Sequence, residues 1–237
     1  MRPTEETFRL GLVGLFVVSL ITAQFLAVKI LVIPLPVTLP LIGEAILVPA
    51  GVIAIAVTFL ATDCYTELYG ARAARRLVNI GFATLFVMLV LLWLAILAPG
   101  SPDAGVDPDL FAAVLAPSTN IVLGGLLAYI VSQHWDVFAF HRIREWSGTR
   151  WLWLRNLAST GTSQLIDTTI FILVAFWLAP VIAGIGAAES PVVLLALILG
   201  HYLVKVAIAI LDTPFVYGIV GYARSQEFGG AFHPLVD

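Results

Sequence analysis

Residues 58–70 read TFLATDCYTELYG and connect the end of a long apolar segment to a short basic one. Within this stretch Asp63 and Glu67 are four residues apart, and on a helix residues at i and i+4 lie on one face. Carboxylates at the edge of a membrane segment are costly to place there, so they indicate a site. The alternative is two hydrated side chains at a helix end, paired with the arginines between residues 72 and 76.

The composition places the rest of the chain in a membrane. Of its 237 residues 60% are hydrophobic and 11% are charged, and the mean hydropathy is +1.02. Apolar runs of about 18 or more residues recur, and they indicate membrane-spanning helices, because a helix satisfies its own backbone hydrogen bonds in lipid. The first run is too long for a signal-peptide core, so we expect it to be retained. Cys64 is the only cysteine, which excludes an intramolecular disulfide and a cysteine metal cluster.

The sequence predicts an all-α fold, a single integral membrane domain over residues 1–237 with six transmembrane helices. Proline-containing segments separate several of the apolar runs, because proline cannot continue a helix. The predicted helices cover about residues 8–33, 44–62, 77–97, 111–136, 157–179 and 192–217.

The distribution of basic residues predicts the orientation of these helices. The loops at about residues 34–43, 99–110 and 180–191 contain no Lys or Arg. Of the 12 basic residues, Lys29 and Lys205 fall inside helices and the other ten lie on the opposite side. Since basic loops stay inside, both termini are expected in the cytoplasm and the protein in the plasma membrane. A short pattern shared by residues 23–28 and 132–137 suggests a weak inverted 3+3 repeat.

Polar side chains recur through the predicted thickness of the membrane. At about 1.5 Å of rise per residue, they run from the outer face (Lys29, Glu44) through the middle (Asp167, Lys205) to the inner face (Asp63, Glu67, Gln133, Asp136, Asp212). A route for a polar solute or a proton requires such a ladder. The alternative is that these side chains form structural ion pairs, but such pairs usually place fewer charges within the membrane.

Three helical spacings place polar side chains on shared faces. They are Gln133 with Asp136, Gln164 with Asp167, and His201 with Lys205 and Asp212. A Gln-x-x-Asp pair presents amide groups beside a carboxylate, which suits the polar edge of a nucleobase. The alternative is a polar seam between helices, with Asp167 bonded to Lys205 for structure alone.

Five short blocks follow one another over most of the chain beyond residue 45. They are Pro49-Ala50-Gly51 with Phe59, Asp63, Glu67, Tyr69 and Gly70; Ser132-Gln133 with Asp136; residues 151–156; Ser159-Thr160 with Gln164, Asp167 and Thr168; and Lys205 with Asp212-Thr213-Pro214 and Tyr217. On six spans and in this order, they resemble the queuosine precursor transporter family, also called the vitamin uptake transporter family. That family usually has Asn before the motif glutamate, where this chain has Thr66.

The resemblance implies a transporter rather than an enzyme. Its substrates would be 7-deazaguanine precursors for tRNA modification, chiefly 7-cyano-7-deazaguanine and its 7-aminomethyl relative. Its partners would be this nucleobase-like solute and the lipid bilayer, with no nucleic acid, cofactor or metal. The sequence leaves open whether the chain is a homo-oligomer and whether transport is proton-coupled or facilitated diffusion.

Three sets of residues are expected to form the transport site. A guanine-like edge donates from N1–H and an exocyclic amine, which a carboxylate accepts in a paired geometry, and a flat ring favours an aromatic wall. The sets are Glu67, Gln133, Gln164 and Asp167 for base recognition; Asp63, Asp136, Lys205 and Asp212 for gating or charge balance; and Phe25, Tyr65, Trp135 and Tyr202 for ring stacking.

Three other functions fit parts of the sequence. A substrate-binding subunit of an ATP-driven vitamin importer also has about six helices, and this chain has no Gly-x-x-x-x-Gly-Lys-Ser/Thr loop of its own. A divalent-cation carrier would use Asp63, Glu67 and Asp136 as oxygen ligands. An intramembrane hydrolase would pair Asp63 with Asp167, but the Gly-x-Gly-Asp, Ser/His/Asp and His-Glu-x-x-His patterns are absent from the sequence.

Overall fold

The structure, a computed structural model, describes residues 4–39, 43–101, 105–147 and 152–228. As the sequence predicts, these residues contain six helical segments long and apolar enough to cross a membrane, and the chain is a multi-pass membrane protein. The segments are Glu5–Leu26, Val52–Tyr69, Ala71–Leu97, Pro108–Trp135, Gly161–Ala183 and Pro191–Ser225.

Eight α-helices, one π-helical turn and two strands make up the described chain. In order they are α1 (Glu5–Leu26), β1 (Ile30–Leu39), β2 (Gly43–Pro49), α2 (Val52–Tyr69), α3 (Ala71–Leu97), α4 (Pro108–Leu115), α5 (Ser118–Ser147), α6 (Leu152–Leu173), the π turn (Val174–Leu178), α7 (Ala179–Ala183) and α8 (Pro191–Ser225).

A two-stranded sheet between α1 and α2 corrects the all-α prediction. Its strands are joined by so few residues that they must pair as an antiparallel hairpin. The first helix therefore ends at Leu26 instead of about 33, and the second begins at Val52 instead of about 44. The β-branched residues and prolines of residues 30–37 explain the change, because both favour extended backbone over helix.

The helix α2 continues beyond its predicted end at about residue 62. It ends at Tyr69 because Gly70 has φ +83°, a conformation that favours glycine, and the Gly70 N–H donates to the Thr66 carbonyl oxygen at 2.8 Å. Asp63 and Glu67 therefore lie in the last turns of α2 and not past its end. The next helix, α3, starts at Ala71 instead of at about residue 77.

The later helices are longer or more divided than predicted. The fourth span begins at Pro108, capped by the Asp107 side chain, and is interrupted before Ser118 at Pro117, which lacks the N–H that a continuous helix needs. The fifth predicted helix corresponds to α6, which begins at Leu152 instead of about 157, and the π turn follows α6 directly. The sixth, α8, ends at Ser225 rather than at about 217.

The chain folds into two compact units. Unit one comprises residues 1–29, 49–97 and 203–237, and unit two comprises residues 30–48 and 98–202. The single domain predicted from the sequence stays a prediction.

Unit one is built on close packing of α1 against α2 and α3. Gly51, just before α2, faces α1 so closely that an added Cβ would lie 2.6 Å from the Ala23 carbonyl oxygen. On α3, Gly81 packs against the side chains of Phe16 and Leu20 in the same manner. The ring of Phe228, after α8, lies 5.7 Å from that of Phe8 on α1.

Unit two is built on α5, which packs against α6 and the π turn. A Cβ on Gly124 would lie 2.9 Å from the Ala175 Cβ, so a small residue is needed at this crossing. The hairpin packs in a similar way, because Gly200 of α8 lies against the carbonyl of Leu47 on β2, where a Cβ would overlap the oxygen. Two glycines therefore fix how these elements approach each other.

Candidate functional site

A cleft of about 300 Å³ in unit one lies between the last turns of α2 and the second half of α8. We call it the acidic cleft, because three of its lining residues are carboxylates and one is a cation. It is lined by Asp63, Thr66, Glu67, Ala209, Asp212, Thr213, Val216, Tyr217, Val220 and Arg224.

Asp63 and Glu67 both line the acidic cleft, which confirms that their spacing places them on one face of a helix. Both residues are exposed in the protein alone. The hydroxyl of Thr66, between them, donates to the Thr62 carbonyl oxygen at 2.7 Å. The cleft face of α2 therefore presents two carboxylates and a hydroxyl whose hydrogen is used within its own helix.

Asp212 contributes the third carboxylate, from α8. It is only 9% exposed, and its Oδ2 has no hydrogen-bond partner within the described part of the chain. Asp63 lines the same cleft, and like charges that share a cleft repel each other. A buried carboxylate oxygen usually has a donor, because burying a polar group without one is unfavourable. Among the described residues, therefore, none supplies the hydrogen-bond donor that this oxygen of Asp212 requires.

Arg224 is the cation of the acidic cleft, a role that its sequence position alone does not predict. Its Nη2 lies 3.4 Å from Glu67 Oε2 and 3.4 Å from the Glu67 carbonyl oxygen. The two side chains are 59% and 58% exposed. Exposed pairs of this kind are weak, so Arg224 can release Glu67 at little cost.

The opposite face of α2 holds an aromatic cluster. Tyr65, predicted as a ring-stacking residue, is buried, and its hydroxyl accepts a hydrogen bond from Arg9 Nε at 3.0 Å. The Arg9 guanidinium lies 5.3 Å from the centre of the Tyr69 ring, and the two tyrosine rings are 4.8 Å apart. This cation–π cluster connects α1 to the helix that carries Asp63 and Glu67.

The predicted site residues of unit two lie on α5 and α6. The Ser132 hydroxyl donates to Asp167 Oδ1 at 3.3 Å. Gln133 is exposed, whereas Gln164 and Asp167 are half-buried. The side chain of Asp136 lies outside the described part of the structure. Because Glu67 belongs to unit one, recognition of one base by all four predicted residues stays a prediction.

The other predicted aromatic residues and Lys205 have these surroundings. Trp135 Nε1 donates to Thr162 Oγ1 at 3.1 Å, and the Tyr202 hydroxyl donates to the Gly161 carbonyl oxygen at 3.5 Å. Phe25 is half-buried on α1, and Lys205 is buried on α8. Their roles in stacking and gating stay predictions.

Metal binding was an alternative that the sequence raised. Over residues 4–39, 43–101, 105–147 and 152–228, no group of three or more His, Cys, Asp or Glu side chains is arranged to hold a metal ion.

Comparison with known proteins finds one family and several relatives. A family profile described as "Putative vitamin uptake transporter" matches residues 49–219, which include Asp63, Glu67 and Asp212. The chain is 37% identical over 161 residues to a "Probable queuosine precursor transporter" of Bacillus subtilis, covering 67% of this chain and 66% of that protein. It is 33% identical over 127 residues to the "Queuosine precursor transporter" of Escherichia coli, covering 52% of each.

A third relative, a "Probable queuosine precursor transporter" of Haemophilus influenzae, is 28% identical over 124 residues, covering 50% of this chain and 48% of that protein. The chain thus spans about half to two thirds of the length of the curated relatives it matches. No solved structure matches the chain.

Proposed function

The chain belongs to the vitamin uptake transporter family, and from that premise we propose that it imports a queuosine precursor across the plasma membrane. The observation that carries the proposal is the family match over residues 49–219, with relatives named as queuosine precursor transporters. The six membrane-spanning segments agree with it. In this proposal the chain acts as a transporter and not as an enzyme.

The proposed substrates are 7-deazaguanines, with a cyano or an aminomethyl group at position 7. Glu67 supports this choice, because it lines the acidic cleft and accepts hydrogen bonds of the kind that the N1–H and the amine of a guanine edge donate. We propose Gln133, Gln164 and Asp167 as further base-recognition residues from their chemistry and spacing alone.

The remaining predicted residues are proposed to balance charge or to gate the route. They are Asp63, Asp136, Lys205 and Asp212. Asp63 and Asp212 line the same cleft as Glu67. When a solute enters or leaves the cleft and changes its charge, Asp63, Glu67 and Asp212 are therefore all affected.

The proposal includes an orientation with both termini in the cytoplasm and an inverted relation between the first three spans and the last three. The absence of Lys and Arg from the loops at about residues 34–43, 99–110 and 180–191 supports the orientation. It places the acidic cleft, at the end of α2 that leads into the arginines of α3, towards the cytoplasm.

Uptake into proteoliposomes that contain this chain alone tests the function. We expect labelled 7-deazaguanine precursors to accumulate without ATP or a second protein, and unlabelled guanine and adenine to compete less well. A requirement for an ATP-hydrolysing partner would support the importer-subunit alternative instead. The absence of both uptake and binding of the precursors would contradict the proposal.

Two variants connect the function to the cleft. Glu67→Gln keeps the shape of the side chain and removes its charge, so it should lower precursor affinity and uptake. Glu6→Gln, at an exposed position in the first turn of α1, is the matched control and should transport as the unmodified chain does. Equal uptake by both variants would exclude Glu67 from the site.

A further inference from the structure

Negative charge is in excess at one end of the acidic cleft. Along both helices Asp63 and Asp212 come before Glu67 and Arg224, and Arg224 is engaged by Glu67. The other two carboxylates therefore have no cation beside them among the residues that line the cleft. Two like charges at close range are unfavourable unless a positive charge joins them.

The threonine hydroxyls that line the cleft do not donate to these carboxylates. The Thr66 hydroxyl donates to the Thr62 carbonyl oxygen, and the Thr213 hydroxyl donates to the Ala209 carbonyl oxygen at 2.9 Å. Both donors are used within their own helices. Asp212, nine-tenths buried, thus keeps an Oδ2 without a donor among the described residues, and it lines the cleft.

The apolar walls of the cleft strengthen its preference for a cation. Ala209, Val216 and Val220 contribute apolar surface, and an ion pair beside apolar surface is screened less than one in water. A ligand that fills the space must bring both a positive charge and hydrogen-bond donors. A primary ammonium group has three donors on one compact charge.

We propose that Asp63 and Asp212 form a subsite for a primary ammonium group, so that the chain selects precursors with a protonated amine over neutral ones. This inference rests on the proposed function and assigns a ligand group to Asp63 and Asp212. The ammonium donates to the carboxylates of Asp212 and Asp63, while the Thr213 hydroxyl oxygen is a further acceptor on the same wall. A nitrile accepts hydrogen bonds but donates none, so it leaves Asp212 unpaired.

The test compares two ligands that differ only in the substituent at position 7. Binding of 7-aminomethyl- and 7-cyano-7-deazaguanine to the full chain in detergent is measured by titration calorimetry. We expect the aminomethyl compound to bind about tenfold or more tightly than the cyano compound, since a hydrogen bond to a charged group is worth about that factor. This ratio in the unmodified chain already tests the proposal without any variant.

Variants assign the preference to the subsite. Asp212→Asn and Asp63→Asn should each lower the affinity for the aminomethyl compound, which brings the ratio of the two affinities towards one. Retained binding of the cyano compound shows that the variants are folded. Asp109→Asn, at an exposed position in the first turn of α4, should keep the full ratio. If the role of Asp212 were only structural, Asp212→Asn would lower the affinity for both ligands by the same factor.

The outcomes separate this inference from the function on which it rests. Equal binding of the two ligands, tighter binding of the cyano compound, or an equal loss of both in Asp212→Asn would overturn the subsite and leave the transport function standing. Failure of both ligands to bind the unmodified chain would overturn the proposed function and the subsite with it.

Discussion

At the scale of single residues, α2 carries two kinds of side chain on different faces within the seven positions from 63 to 69. Asp63 and Glu67 line the acidic cleft, whereas Tyr65 and Tyr69 pack with Arg9 of α1. Side chains two positions apart on a helix point in nearly opposite directions, which accounts for the separation. One helix therefore exposes its carboxylates while its tyrosines are held in place.

The bond between Arg9 and Tyr65 should contribute measurably to stability. Tyr65→Phe removes the acceptor of Arg9 Nε in a side chain that is 4% exposed. We expect a loss of about 0.5–1.5 kcal/mol in the free energy of unfolding, the usual net value of one hydrogen bond. The measurement is thermal or denaturant unfolding in detergent. Tyr222→Phe, at an exposed residue, is the control, and equal stability of the two variants would show that the bond contributes nothing.

The ion pair of Glu67 and Arg224, by contrast, should contribute little to the stability of the fold. Its atoms are 3.4 Å apart and both side chains are more than half exposed, so its expected contribution to stability is below about 1 kcal/mol. Arg224→Gln should therefore melt close to the unmodified chain. A large drop in melting temperature would mean that Arg224 holds α8 against α2 rather than serving the cleft.

Half of this residue-level arrangement follows from the sequence. The shared face of Asp63 and Glu67 follows from their spacing, because helix geometry alone decides it. The partner of Glu67 does not follow, since Arg224 is 157 residues away and no local pattern connects them. The sequence marked Arg224 only as a charge on the basic side of the membrane.

At the scale of elements, the hairpin is the part of the fold that the sequence prediction missed. Residues 30–33 and 45–48 read ILVI and AILV, and a short apolar run does not reveal by periodicity whether it is strand or helix. Joined to the helices on either side, each run looked like an extension of a membrane span. The prolines at positions 34, 36 and 49 and the β-branched residues were the available signal.

Close packing of α1 and α2 depends on Gly51. A Cβ there would lie 2.6 Å from the Ala23 carbonyl oxygen and 2.8 Å from the Ala27 Cβ, so Gly51→Ala must push the helices apart. We expect a loss of about 1–3 kcal/mol, the usual cost of overpacking, measured as a lower melting temperature. Gly14→Ala on α1 meets nothing within 4 Å and should be neutral. Equal melting of the two variants would contradict the packing described here.

At the scale of the whole molecule, the number of spans was predictable and their division into two units was not. Hydropathy alone identifies six segments, because the cost of unsatisfied backbone in lipid leaves few alternatives. The units depend on which helix faces pack together, and small residues such as Gly51 and Gly124 allow close packing at particular contacts. Such contacts leave no hydropathy signal.

The proposed orientation makes a prediction for the intact cell. In a Cys64→Ala background, Ala188→Cys should react with a membrane-impermeant maleimide added outside, because it lies in a loop free of Lys and Arg. Ala71→Cys, at the start of α3, should react only after the membrane is permeabilised. The reverse pattern would place both termini outside.

Cys64 gives the unmodified protein a means of reporting its own motion. It is the only thiol of the chain and is 0% exposed on α2, between a residue of the cleft and a residue of the tyrosine cluster. An alkylating reagent reaches its sulfur only while that helix is separated from its neighbours. The rate of alkylation therefore measures how often α2 opens, and a change in that rate when a solute is added would time the movement of this helix during the transport cycle.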